Sequence, residues 1–196
     1  MMFANSLVAK CPHCNGTKEL IRLLSGNTFG ADQWSDTRQI APMLLSASPV
    51  QKCSHCGHYY LLDKVETCKG KDISSEEGWL TFPEAIEALR ESRSWGLSNE
   101  DRFVMLLIAI WAFNDYTRFD KEATSSEQVL VNEVVKEILP LVEENLFKAE
   151  LLREIGDFDG SLIALDAFNP EDDYQNSIVE AIRERISNKD TQIFKL

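Results

Sequence analysis

Cys11-Pro12-His13-Cys14-Asn15-Gly16 and its counterpart Cys53-Ser54-His55-Cys56-Gly57 decide how the first third of the chain is read. Each places two thiols three residues apart around a tight turn, a spacing that lets both sulfurs face one ion. Two such turns supply the four sulfurs of a closed tetrahedral shell, the coordination that a structural zinc ion takes. Cys11, Cys14, Cys53 and Cys56 are therefore the expected metal ligands, and one structural Zn2+ the expected cofactor. Gly16 and Gly57 stand where such turns call for a residue tolerant of positive φ. His13, His55 and His58 lie in or beside the turns and are assigned no ligand role. Cys68, in the polar stretch ETCKGKD, reads as a bystander surface thiol.

Outward from the motifs, Thr17 to Ser25 and Tyr59 to Val65 can supply strands leaving each turn. Asn15 to Lys52, 38 residues, separate the two CxxC pairs, against about 15–20 for the common paired site. The excess contains SGNTFGADQWSDTRQIAPM, Ser25 to Met43. One reading makes it a recognition loop presenting Trp34, Asp36 and Arg38, since exposed aromatics and Arg dominate binding hot spots. The favoured reading has Phe29 and Trp34 supply the hydrophobic plug that a small metal module otherwise lacks.

Paired knuckles on short hairpins resemble zinc ribbons, and that resemblance implies a small β module over residues 1–66. The SGNTFG-and-WSD insertion followed by helices resembles a family of bacterial zinc-ribbon-like proteins of uncharacterised role, so the likeness brings no activity with it.

Beyond a linker at 67–78 the text turns helical. Thr81 and Glu84 have capping-box spacing with Pro83 in the first turn, which predicts a helix over about 82–93. Ser98 with Asp101 opens a second, on which Phe103, Leu106, Leu107, Ile110, Trp111 and Asn114 recur at helical spacing. Ser125 or Ser126 is expected to cap a third carrying Val129, Val131, Val134, Val135 and Ile138, with a break at Pro140. A fourth is expected from Leu141 to Ile155, stopped by Gly156. Asp159 is expected to cap a fifth over about 160–168, and Asp172 to start a sixth that runs to Ser187. The expected architecture is mainly α: the β module, a helical hairpin or bundle domain over 79–188, and a tail at 189–196. Within the helices, AELLREIGDFDGSLIAL (Ala149 to Leu165) resembles one tetratricopeptide hairpin through Ala149, Gly156, Phe158 and Ser161. An ordinary helical hairpin explains the same residues.

Charge narrows the function. Residues 1–60 carry five Lys/Arg against three acids, and the remainder carries fifteen against twenty-nine, leaving the chain at −12. A body so acidic repels the phosphates that nucleic-acid binders neutralise. The longest apolar run, Phe103 to Phe113, is eleven residues, short of the ~20 that cross a bilayer. With no basic-then-apolar leader at the N-terminus, the expected location is the cytoplasm. No GxxxxGK[ST], GxSxG or HExxH occurs, and the chain is not expected to be an enzyme. The expectation is a zinc-binding interaction or scaffold protein with a protein or peptide partner or a second copy of itself. The alternatives are a nucleic-acid-associated ribbon and a thiol redox protein using CPHC.

Overall fold

The computed structural model describes residues 2–196. Short antiparallel strands in the N-terminal part precede six α-helices among the described residues, so the chain is a small β module followed by a helical domain. Two compact units arise from this order: residues 2–31 with 40–112, and residues 32–39 with 113–196.

In the first unit, β1 (Met2–Phe3) pairs with β4 (Leu23–Ser25). The central strand β2 (Leu7–Lys10) lies between β3 (Thr17–Leu20) and β9 (Thr67–Lys69), antiparallel to both. Thr67–Lys69 falls in the span read as a linker. It is a strand because Val8 and its neighbours leave an edge free for pairing, and exposed β9 blunts that edge. β7 (Val50–Lys52) pairs with β8 (Tyr59–Leu61). Both hairpins bury one face into a small cluster of Ala9, Cys11, Leu20, Cys53 and Tyr60. Two-residue strands, β5 (Asp32–Gln33) and β6 (Gln39–Ile40), mark the ends of the segment that the second unit claims.

α1 (Phe82–Ser92) begins as expected, with the Thr81 N–H donating to Glu84 Oε2 at 3.1 Å. α2 (Asn99–Arg118) starts at Ser98, whose Oγ accepts the Asp101 N–H at 3.1 Å. Met105, Leu106, Ile108, Ala109 and Ile110 are all buried, in keeping with an apolar surface on nearly every side.

The second unit holds α3 (Ser125–Ile138), α4 (Asn145–Glu154), α5 (Phe158–Asp166) and α6 (Asp173–Ser187). Three of the expected starts move. Thr124 caps α3 rather than Ser125 or Ser126, because Thr124 is the residue three before Glu127 and completes a capping box with it. Pro140 breaks the helix, and Leu139–Leu141 form one 3-10 turn, so α4 begins only at Asn145, capped by the Glu144 carboxylate. Asp157, not Asp159, caps α5 by accepting the Gly160 N–H at 3.0 Å.

Gly156, at φ +80°, closes α4. Its N–H donates to Arg153 O and the Asp157 N–H to Leu152 O, both at 2.9 Å, the paired bonds of a left-handed helix end. Across the resulting hairpin the buried Ser161 hydroxyl donates to Ala149 O at 2.7 Å. That bond requires a hydroxyl where the tetratricopeptide pattern has Ala. Phe158 is half-buried against the cluster of Ala149, Leu165 and Ile182. The expected tail is part of this core: Ile193 and Phe194 are buried, and Phe194 lies under the Arg185 guanidinium.

Candidate metal centre

The two CxxC turns are built alike. Lys10 pairs with Thr17 at the end of the β2–β3 hairpin, and Lys52 with Tyr59 at the end of β7–β8. Within each turn the first cysteine's N–H donates across the loop, Cys11 to Gly16 O and Cys53 to His58 O, both at 2.8 Å. Its carbonyl accepts in return, from the Asn15 N–H at 3.0 Å and the Gly57 N–H at 2.9 Å. Gly57 takes the left-handed conformation at φ +78°, as the spacing requires, but in the first turn Asn15 does so, at φ +61°. Asn tolerates that region better than most side chains. Gly16 serves another purpose: a Cβ there would lie 2.5 Å from the His55 ring and 3.2 Å from Cys14 Sγ.

The turns bring all four predicted cysteines together. Their sulfurs lie within 4.8 Å of one another, with Cys11 Sγ 3.7 Å from Cys56 Sγ and Cys14 Sγ 3.6 Å from Cys53 Sγ. Such separations are far beyond the ~2.05 Å of a disulfide, and all five cysteines are free. The four can hold a metal ion. Cys11 and Cys53, the first of each turn, are buried, while Cys14 and Cys56 are exposed. Cys68 is exposed on β9, apart from this cluster.

Protons are shared unevenly among these thiols. Burial raises Cys11. Burial would raise Cys53 too, but the N–H groups of Cys56 and His55 and the neighbouring thiols bring it down to about 6. Although the His58 N–H favours the Cys56 thiolate, burial and the bonds to Cys14, Cys53 and Cys11 push it up to about 12. Four sulfurs at this distance cannot all ionise unless a cation neutralises them, and metal binding to such a set releases protons.

α1 holds the second knuckle in place. Glu84, Glu87 and Glu91 have the spacing of a solvated stripe, but they face the β7–β8 hairpin. Lys52 Nζ meets Glu84 at 3.1 Å, the Tyr59 hydroxyl donates to Glu87 at 2.8 Å, and His58 Nδ1 lies 3.0 Å from Glu91. A spacing of three and four residues marks one helix face but does not say whether that face meets water. His13 stacks on His58, and with Glu91 they form a second set of donors close enough for an ion, on the exposed side.

The insertion serves neither expected purpose. Phe29 is 81% exposed and plugs nothing. Residues 32–39 belong instead to the helical unit, where Trp34 packs against the Arg118 guanidinium and Asp36, fully buried, pairs with Arg118 and accepts from Asn114 Nδ2 at 2.9 Å. A Trp-Ser-Asp triplet with turn signals on both sides looks like a surface loop in sequence. Its partners lie about 80 residues further on, so nothing local reveals the burial.

No family model matches this chain, no curated protein matches it, and no solved structure matches it.

Proposed function

We propose that the chain is a zinc-binding interaction or scaffold protein whose zinc ion is structural. The observation that carries this reading is the sulfur geometry. A tetrahedral ion with Zn–S bonds of about 2.3 Å needs sulfurs about 3.8 Å apart, and the measured pairs stand at 3.6 and 3.7 Å. Four thiolates fill the shell and leave no position for water or substrate, which separates such a site from a catalytic zinc. The reading is therefore of a non-enzymatic centre that stabilises the unit around it.

Thiol redox chemistry has less support. CPHC oxidants rely on a helix N-terminus to favour the first thiolate, whereas Cys11 and Cys14 lie in a turn between β2 and β3. The partner follows from charge: after residue 60 the chain carries fourteen more acids than bases, so a basic protein or peptide is steered towards its helices while nucleic acid is repelled. Exposed Ile163 and Tyr174 on those helices offer apolar contact area.

Metal analysis of freshly purified protein tests the centre. One zinc per chain is expected, and cobalt replacement should give the intense absorption of a four-thiolate site. Protein free of metal, with Cys11–Cys14 and Cys53–Cys56 disulfides, would overturn the reading. No helix among the described residues is long and apolar enough to cross a membrane.

A further inference from the structure

Within the second unit, Arg38 meets Asp115 at 2.6 Å, Arg118 pairs with both Asp115 and Asp36, and Arg153 grips Glu150 through two bonds of 2.8 and 2.6 Å. Three guanidinium groups are matched by three carboxylates. Glu154 is the fourth carboxylate. It is 9% exposed, its Oε2 accepts from Asn114 Nδ2 at 3.0 Å, and its Oε1 has no hydrogen-bond partner among the described residues.

Glu154 also lines a cavity of about 340 Å³, near the lower end for small-ligand sites. Buried Val131, Val135 and Ile193 give the cavity apolar walls, and exposed Lys121, Glu122 and Gln128 stand at its rim. A buried, half-satisfied carboxylate costs free energy unless a donor or a positive charge completes it. Every matched guanidinium nearby already serves another acid, so Glu154 either keeps a proton or takes a cation from outside.

We propose that this cavity binds a primary ammonium group on a short aliphatic stem, with the ammonium donating to Glu154 and the stem lying along Val131, Val135 and Ile193. A free alkylamine and a lysine side chain share this chemistry. The inference is independent of the metal site, which lies in the other unit.

Binding is coupled to a proton. Burial, and then the negative charges of Glu150 and Asp36, hold Glu154 well above the usual carboxylate range, against the pull of Asn114 and Arg153. Of the other charged groups around it, Arg118 and Asp115 on α2 are paired with each other. Lys121 and Glu122 at the rim are of opposite sign, and the α3 and C-terminal residues lining the cavity are neutral. The incoming ammonium therefore displaces the Glu154 proton to solvent, and affinity rises with pH.

Titrations of the full-length protein with n-butylammonium and with n-butanol, followed by the methyl resonances of Val131, Val135 and Ile193, test this. Saturable shifts are expected for the cation and not for the alcohol, tightening as pH is raised above the ordinary glutamate pKa of about 4.3. Glu154→Gln should weaken cation binding at least tenfold. A peptide with one central lysine distinguishes the sources: tighter binding than butylammonium points to a protein partner, weaker binding to a free amine. Equal shifts with the alcohol, unchanged affinity in E154Q, or no saturation at tens of millimolar would each overturn the proposal. The comparison of cation with alcohol needs no variant, so a misfolded E154Q leaves it decisive.

Discussion

Around the four cysteines, the groups packed closest together all carry the same sign once ionised. In the helical unit, buried Asp36 and Glu150 and half-buried Asp115 each face a guanidinium of the same chain. One unit can take a cation from solution at its four sulfurs, and the other carries most of its counter-charges within itself. A closed sulfur cage around a small apolar cluster suits a module with few side chains to bury. Paired charges suit helices that already have an apolar core to hold them.

The largest expected effect tests the first half of that contrast. Removing the metal with a chelator should unfold the cysteine unit, because structural zinc couples roughly 10–16 kcal/mol of binding to folding. Calorimetry should show one unfolding transition lost while another, from the helical unit, persists. A single transition that disappears whole would show that the helices depend on the metal as well. Next, Arg153→Met leaves Glu150 buried without its bidentate partner and should cost about 3–5 kcal/mol in chemical denaturation, to the same extent with and without zinc.

Glu154→Gln should act in the opposite direction at neutral pH. Its folded pKa lies above the unfolded value, so the native state binds the extra proton and the contribution to stability is complete below about pH 4.3, declining as pH rises towards the folded value. The variant should flatten that decline, measured as denaturation midpoint against pH. Smaller again, Ser161→Ala removes the hydroxyl bond to Ala149 O and should cost ~1 kcal/mol. Smallest, Glu91→Gln weakens a largely exposed contact with His58 and should change stability by less than about 1 kcal/mol. A loss several times larger would mean that the His13–His58–Glu91 group holds an ion of its own.

The grouping of the four cysteines was legible because a CxxC turn is a local device: its spacing and its flanking strands lie within a few positions, although the left-handed residue of the first turn is Asn15 and not Gly16. Most helix ends were legible for the same reason. Thr81 with Glu84, Ser98 with Asp101 and Gly156 each satisfy backbone groups from nearby in sequence. The misplaced caps at Thr124, Glu144 and Asp157 show that several candidate oxygens can compete within one turn. What stayed hidden is what long-range contacts decide. Asp36 and Arg118 are 82 residues apart, and the Glu84, Glu87 and Glu91 face reads as solvated until the β7–β8 hairpin is placed against it. The burial of Ile193 and Phe194 is equally invisible in eight residues without periodicity.

The eight residues Asp32–Gln39 bear on how this chain can be inherited. They are encoded inside the cysteine unit yet complete the helical one, so the two units alternate along the gene rather than following one another. A recombination event or truncation anywhere between residues 40 and 112 that passes on the later helices without the N-terminal part strips Asp36 from Arg118 and leaves Asp115 as its remaining carboxylate partner of the two. The reverse fragment carries Asp36 into a chain with no Arg118 to receive it. Neither unit is one uninterrupted stretch of the chain, so no single cut passes on either of them whole without part of the other.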